Sequence, residues 1–140
     1  MATKSEIDAL RSVALFGEMS DRELRSILKE AKQISFPEGH TIVQQGANGV
    51  GLHVVIEGEV KVVVNGRTRA RLKPGDHFGE MSLIDGGPRS ASVITVEPTR
   101  TLSLAVWSFN KLLKTYPSLA KKLLIALSKR LREADLSPTD

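Results

Sequence analysis

The chain has 140 residues, of which 41% are hydrophobic and 26% charged, so it is long enough for one domain with its own core and too short for two ordinary domains. Its formal net charge is +4. It has no cysteine, which excludes disulfides, thiolate metal sites and cysteine nucleophiles. This composition is compatible with a reducing cytoplasm, the location we expect. No apolar run approaches the roughly 18–20 residues of a membrane span, and the polar first ten residues contain no signal core.

The basic balance, with a pI of about 9.6, raises the question of a nucleic-acid partner. The basic residues are scattered or cluster late, within residues 121–132, aromatic residues make up only 4%, and no recognition-helix module is evident. We interpret the late cluster as a solvated helix face and expect no specific nucleic-acid partner. An anionic small ligand would suit the same charge.

The first thirty residues predict two helices, separated by the string FGEMS at residues 16–20. Apolar side chains recur at helical spacing over residues 4–14. Ser20 and Glu23 form the capping box S-x-x-E, which opens a second helix that ends near residue 31. This copy of FGEMS therefore has a structural interpretation, in which its apolar residues anchor a turn and Glu18 is a solvated charge.

From Phe36 onward the apolar pattern has period two and is interrupted by glycine and proline turns. Asn65-Gly66 is a strong hairpin signal. Short strands are predicted at residues 40–44, 52–57, 59–64, 67–72, 90–96 and 101–106. Short strands that each end in a turn signal favour a small barrel or jelly roll over an α/β sheet.

Two helices are predicted after the strands, at residues 107–115 and 117–134, with a break at Tyr116-Pro117. In the second, leucine recurs every four residues, at Leu119, Leu123, Leu127 and Leu131. The resulting stripe is wide enough to pack on the strands or on a second copy of the chain.

A second FGEMS, at residues 78–82, lies in a connection of about fourteen residues between predicted strands, and such long connections are usually functional. Gly79 lets the backbone approach a ligand, and the N–H groups that follow it form an anion site if a helical turn begins there. Arg89 closes the segment with a planar, permanently charged fork suited to phosphate, and Glu80 can accept from a sugar hydroxyl. Taken singly, Gly79 could be a turn glycine, and Glu80 and Arg89 could form a surface ion pair. The combination and order of the three residues favour a binding loop.

The segment F-G-E-M-S-L-I-x-x-x-P-R-S-A-S-V, residues 78–93, resembles the phosphate-binding cassette of cyclic nucleotide-binding domains. This family includes protein kinase A regulatory subunits, cyclic nucleotide-gated channels and catabolite activator protein. The resemblance extends to Leu15-Phe16 before the capping box, Gly58-Glu59-Val60 and Pro74-Gly75-Asp76. It implies a mainly β (α+β) fold, an eight-stranded jelly-roll β-barrel with N-terminal helices and two C-terminal helices.

The implied organisation is a single cyclic nucleotide-binding domain over residues 1–140. Its helices would occupy about 4–31, the β-roll 34–106 with the cassette at 78–93, and the C-terminal helices 107–135.

The resemblance also implies roles for individual residues. Gly79 and the backbone N–H groups of Met81 and Ser82 would meet the cyclic phosphate or ribose. Glu80 would hold the ribose 2′-hydroxyl, and Arg89 a phosphate oxygen.

Further residues would contact the base. Val62 and Leu72, with Val64 as a further candidate, would pack against it, and Arg130, Leu131 and Arg132 are candidates for a cap over it. Ser90 occupies a position where the family has alanine, serine or threonine, and where threonine is associated with cGMP; serine leaves cAMP favoured and cGMP tolerated. Binding would be relayed by movement of the C-terminal helices.

Other function classes fit the residues less well. His40, His53 and His77 are isolated in sequence, so a cupin-like metalloenzyme is disfavoured, and we expect no enzyme activity, metal or cofactor. A DNA-reading activator would need a helix-turn-helix after the last helix, where only residues 136–140 remain. The expected protein is a cyclic nucleotide sensor, with an effector in trans or in a fused domain; the alternative is a regulatory module excised from a larger channel, kinase or other cAMP-controlled protein.

Overall fold

The structure is a computed structural model that describes residues 4–13, 16–47, 51–79 and 89–135. Two helices come first, then the strands, then two more helices, as the sequence predicts. The helices are α1 (Lys4–Arg11), α2 (Asp21–Glu30), α3 (Val106–Thr115) and α4 (Pro117–Asp135). The strands are β1 (Lys32–Phe36), β2 (Thr41–Val43), β3 (Gly51–Glu57), β4 (Val60–Val64), β5 (Arg67–Leu72), β6 (His77–Phe78), β7 (Ser92–Thr95) and β8 (Thr99–Ala105).

The strands form two antiparallel four-stranded sheets, in the orders β1-β8-β3-β6 and β2-β7-β4-β5. This confirms the mainly β jelly roll with helices at both ends. Two strands were not predicted: β1 is exposed along most of its length and so lacks an apolar alternation, and β6 has only two residues. β8 begins at Thr99, two residues before the strand predicted at residues 101–106.

The core has two parts because the side chains of β3 alternate between the two faces of its sheet. Leu52 and Val54 belong to the larger cluster, which the first sheet shares with the helices. Val55 belongs to a smaller cluster with Val60, Phe78 and Val93. The connection that follows β6 therefore starts from a residue anchored in the core.

The predicted capping box is present at the start of α2. The backbone N–H of Glu23 donates to Ser20 Oγ over 3.2 Å, and the backbone N–H of Ser20 donates to Glu23 Oε1 over 2.9 Å. Glu23 also accepts from Ser118 Oγ over 3.0 Å and forms an ion pair with Lys122, both on α4. The cap thus joins the N-terminal and C-terminal helices.

Glu18, in the first FGEMS, is an exposed charge, as the sequence predicts. It also pairs with Lys129 of α4, and the hydrogen bond from that lysine lowers its pKa. The long spacing between the partners, 111 residues, hid this ion pair from sequence reasoning. Glu18 and Glu23 thus pair with two lysines of α4, Lys129 and Lys122, which are seven residues apart.

Glu23→Gln tests the cap as a pH-dependent contact. Burial favours a raised pKa, but hydrogen bonds from Lys122, Ser20 and Ser118 outweigh it and lower the pKa of Glu23 from 4.5 to about 2. The carboxylate therefore stabilises the fold fully above pH 4.5, and this contribution is lost as the pH falls through about 2.

At pH 7 we expect Glu23→Gln to lower the free energy of unfolding by about 1–2 kcal/mol. Urea unfolding at a series of pH values should show the difference from wild type shrinking below pH 4.5. Glu18→Gln, at a more exposed ion pair, is the control and should have the smaller effect. A difference that does not change with pH would show that the charge of Glu23 contributes nothing.

Candidate functional site

Gly79 follows β6 and has φ +89°, a backbone conformation that disfavours any side chain. A Cβ at this position would collide with Nη1 of Arg89 and with the carbonyl oxygen of Gly51. Glycine is therefore needed here for two reasons, the backbone conformation and the space that the guanidinium occupies. The structure brings together the two residues that open and close the predicted loop.

Arg89 is held from both its main chain and its side chain. Its N–H donates to Ala47 O over 2.8 Å, and its carbonyl accepts from the N–H of Gly46 over 2.9 Å. Nη2 donates to Gly51 O over 2.8 Å. Gly46, Ala47 and Gly51 thus fix the position of the arginine.

The charge of Arg89 is buried. The residue is only 7% exposed, and burial lowers its pKa. Within the four described ranges no carboxylate forms an ion pair with it. A buried cation is costly unless it is paired, and a guanidinium presents five N–H donors. Chemically, this arrangement is suited to an anion with several acceptor oxygens, such as phosphate.

His53 of β3 supports this site from the side of the first sheet. Its ring stacks on Phe78, with 5.0 Å between ring centroids and an angle of 13° between planes. Its Nδ1 lies 2.8 Å from Ser103 Oγ and 3.2 Å from Thr101 Oγ1. Burial, and the positive charge of Arg89, lower the pKa of His53 to about 4, so the ring is neutral at pH 7. The stack fixes Phe78, and with it the start of the loop at Gly79.

The apolar residues predicted to face the base lie on one sheet. Val62 and Leu72 are half-buried against the cluster that contains Val60 and Phe78. In the ladder, Val62 lies opposite Val93 of β7, and Leu72 opposite Val60. Ser90, next to Arg89, is exposed. Val62 and Leu72 are suited to contact the apolar part of a ligand.

Several predicted residues cannot be placed. Glu80, Met81 and Ser82 lie outside the described residues, as does the side chain of Arg130. Leu131 is 65% exposed and Arg132 is exposed, and no contact described in the structure joins either to Arg89 or Gly79. The cap over the base therefore remains a prediction.

Sequence reasoning missed the β2–β3 connection and the role of His53. Gly46 and Gly51 lie in a glycine-rich stretch between two predicted strands, which by itself indicates only a loop. Their part in holding Arg89 depends on backbone atoms, which leave no mark in side-chain patterns. His53 is isolated in sequence, and its contacts with Phe78 and Ser103 appear only in the structure, where it lies on β3.

Two further findings bear on function. Among the described residues, no three His, Cys, Asp or Glu side chains form a group that could hold a metal ion. The helices described are too short or too polar to cross a membrane.

Comparison with known proteins identifies the family. Residues 33–116, more than half of the chain, match the family model for the cyclic nucleotide-binding domain. The cyclic AMP receptor protein of Thermus thermophilus is 38% identical over 132 residues, which are 91% of this chain and 61% of that protein. A CRP-like cAMP-activated global transcriptional regulator of Mycobacterium tuberculosis is 30% identical over 143 residues, covering 95% of this chain and 64% of the relative.

A solved structure has the same fold over nearly its whole length. The N-terminal domain of a transcriptional regulator from Streptomyces coelicolor superposes with a TM-score of 0.85 at 31% identity, covering 95% of this chain and 97% of that one. By contrast, the chain spans less than two thirds of the length of the two relatives above, 61% and 64%. The fold and these matches agree: the chain belongs to the cyclic nucleotide-binding domain family.

Proposed function

We propose that this domain is a non-catalytic sensor that binds cAMP, tolerates cGMP and relays binding through its C-terminal helices. The observation that carries the proposal is the buried Arg89 guanidinium, prearranged against Gly79 and Gly51. A cyclic phosphate would place negative charge beside this guanidinium. The proposal treats residues 1–140 as one binding unit that needs no metal or cofactor.

The remaining ligand contacts come from the resemblance to the family. The backbone N–H groups of Met81 and Ser82 would add to the phosphate site, and Glu80 would accept from the ribose 2′-hydroxyl. Charge-assisted hydrogen bonds contribute roughly 1.5–3 kcal/mol each, so the set would give about micromolar affinity or tighter after the cost of immobilisation. The half-buried Val62 and Leu72 would contact the base without reading its identity.

The relay would act on α4, which is tied to the N-terminal helices by the pairs Glu18–Lys129 and Glu23–Lys122. A ligand shifts an equilibrium only if it binds one state better than the other. We infer that nucleotide binding favours a state in which α4 leaves these contacts and its end, with Arg130, Leu131 and Arg132, closes over the base.

Calorimetric titration of the chain with cAMP, cGMP and 5′-AMP, in one buffer and at one salt concentration, tests this function. We expect cAMP to bind with micromolar or lower Kd. cGMP should bind more weakly because Ser90 lacks the threonine methyl that would fix its hydroxyl. 5′-AMP should bind at least about tenfold more weakly than cAMP because its phosphate is not held in a ring. The absence of binding by both cyclic nucleotides would contradict the proposal.

The relatives suggest a second candidate function. One of them is named as a transcriptional regulator, and this chain covers only 64% of its length. The domain could then be the regulatory module of a larger cytoplasmic protein whose effector lies outside residues 1–140. For this chain itself we expect no specific DNA binding. An electrophoretic mobility shift assay with DNA duplexes tests this. Binding that prefers one sequence, and that persists at higher salt, would contradict the expectation.

A further inference from the structure

A second concave surface lies on the first sheet, on the side of Trp107. We name it the Trp107 groove; it has a volume of about 400 Å³, and its wall includes Lys29, Lys32, Ile34, Gly51, Ala105 and Trp107. It is formed where α2 passes into β1 and where β8 passes into α3. Gly51, whose carbonyl oxygen accepts from Arg89, and His53, which stacks on Phe78, line both this groove and the site described above.

The groove exposes large apolar side chains. Trp107, the only tryptophan of the chain, is 68% exposed, and Ile34 of β1 is 38% exposed. One exposed apolar residue needs no explanation, but two beside one cavity form a patch of the kind that marks interaction sites. Tryptophan is also the residue type most enriched among the residues that dominate binding energy at protein interfaces.

The rim of the groove is positively charged. Lys29 and Lys32 line it, together with one acid, Glu30. The carboxylate of Glu30 is 3.5 Å from Nζ of Lys111 on α3, so it already has a cation of its own. The two rim lysines are therefore left to attract negative charge, which would also speed association.

We propose that the Trp107 groove docks an acidic segment of a partner protein, which places one leucine- or phenylalanine-sized side chain against Trp107 and Ile34. The cavity is large enough for such an anchor, and acidic residues beside it would pair with Lys29 and Lys32. Gly51 and His53 belong both to the groove and to the surroundings of Arg89, so the docking is tested without nucleotide.

The test uses a displayed library of random twelve-residue peptides, selected on the complete chain and counter-selected on Trp107→Ala. Trp107 donates no described side-chain hydrogen bond and is largely exposed, so its replacement should leave the fold intact; circular dichroism checks this. We expect the peptides recovered to be rich in Asp and Glu with one Leu, Phe or Met. The proposal would be overturned if no recovered peptide required Trp107 for binding. It would also be overturned if all recovered peptides were basic or uncharged.

One recovered peptide, synthesised without tryptophan, is then titrated while the fluorescence of Trp107 is recorded. Lys32→Glu and Lys29→Glu should each weaken binding at least fivefold. Two surface changes outside the groove serve as controls, Arg69→Glu for charge and Leu124→Ala for an exposed apolar side chain, and both should leave the Kd unchanged within twofold. If the control variants weakened binding equally, the proposal would be overturned. It would also be overturned if the chain self-associated and Trp107→Ala abolished the association, because the groove would then bind a second copy.

Discussion

Gly79→Ala is expected to reduce the affinity for cAMP by at least about a hundredfold. A methyl group at this position would overlap with Nη1 of Arg89 and with the carbonyl oxygen of Gly51, so the guanidinium would have to leave its place. The φ of +89° adds a backbone cost of about 1–2 kcal/mol for any residue with a Cβ. Calorimetric titration measures the first effect and urea unfolding the second.

Gly75→Ala is the matched control. Gly75 has φ +96°, close to that of Gly79, but a Cβ there would meet nothing within 4 Å. It should therefore show the backbone cost without the loss of affinity. If the two variants lost affinity equally, or if Gly79→Ala bound as wild type does, the fit between Gly79 and Arg89 would not be what forms the site.

Arg89→Met is expected to separate binding from stability. Methionine keeps much of the apolar stem and removes the buried charge together with the hydrogen bond to Gly51 O. A buried charge is costly to desolvate, and among the described residues no carboxylate would be left without a partner by its removal. The free energy of unfolding without ligand should therefore fall by no more than about 1 kcal/mol, or rise.

The same variant should lose the stabilisation that the ligand provides. Wild type at a cAMP concentration a hundred times its Kd should gain about 2.7 kcal/mol, and Arg89→Met at that concentration almost nothing. Urea unfolding with and without cAMP gives all four values. A large loss of stability in the unliganded variant would instead assign Arg89 a mainly structural role.

The two copies of FGEMS show how far the sequence could be interpreted. In the first, Ser20 and Glu23 form a cap whose partners are three residues apart, and such local contacts can be predicted from spacing alone. In the second, Gly79 and Arg89 are ten positions apart and are identified by resemblance, and the structure brings these two residues into contact.

Contacts between distant parts of the chain could not be predicted in the same way. One such contact is the ion pair of Glu18 with Lys129, which depends on how the helices pack. Another is the set of hydrogen bonds that joins Arg89 to Gly46 and Gly51, which depends on how the sheets pack. A single sequence shows which residues are charged or flexible, but it does not show which of them will meet. β1 was missed for a related reason, since an exposed edge strand has little apolar alternation to reveal it.

The central claim is that Arg89 binds the phosphate of a cyclic nucleotide. Calorimetric titration of cAMP into wild type, Arg89→Met and Arg71→Met tests it most directly, because Arg71 is an exposed arginine whose side chain pairs with Glu59. We predict micromolar or tighter binding by wild type and Arg71→Met, and binding at least about a hundredfold weaker by Arg89→Met, the loss of roughly two charge-assisted hydrogen bonds. Equal affinity in Arg89→Met and wild type, or no binding by wild type, would contradict the account.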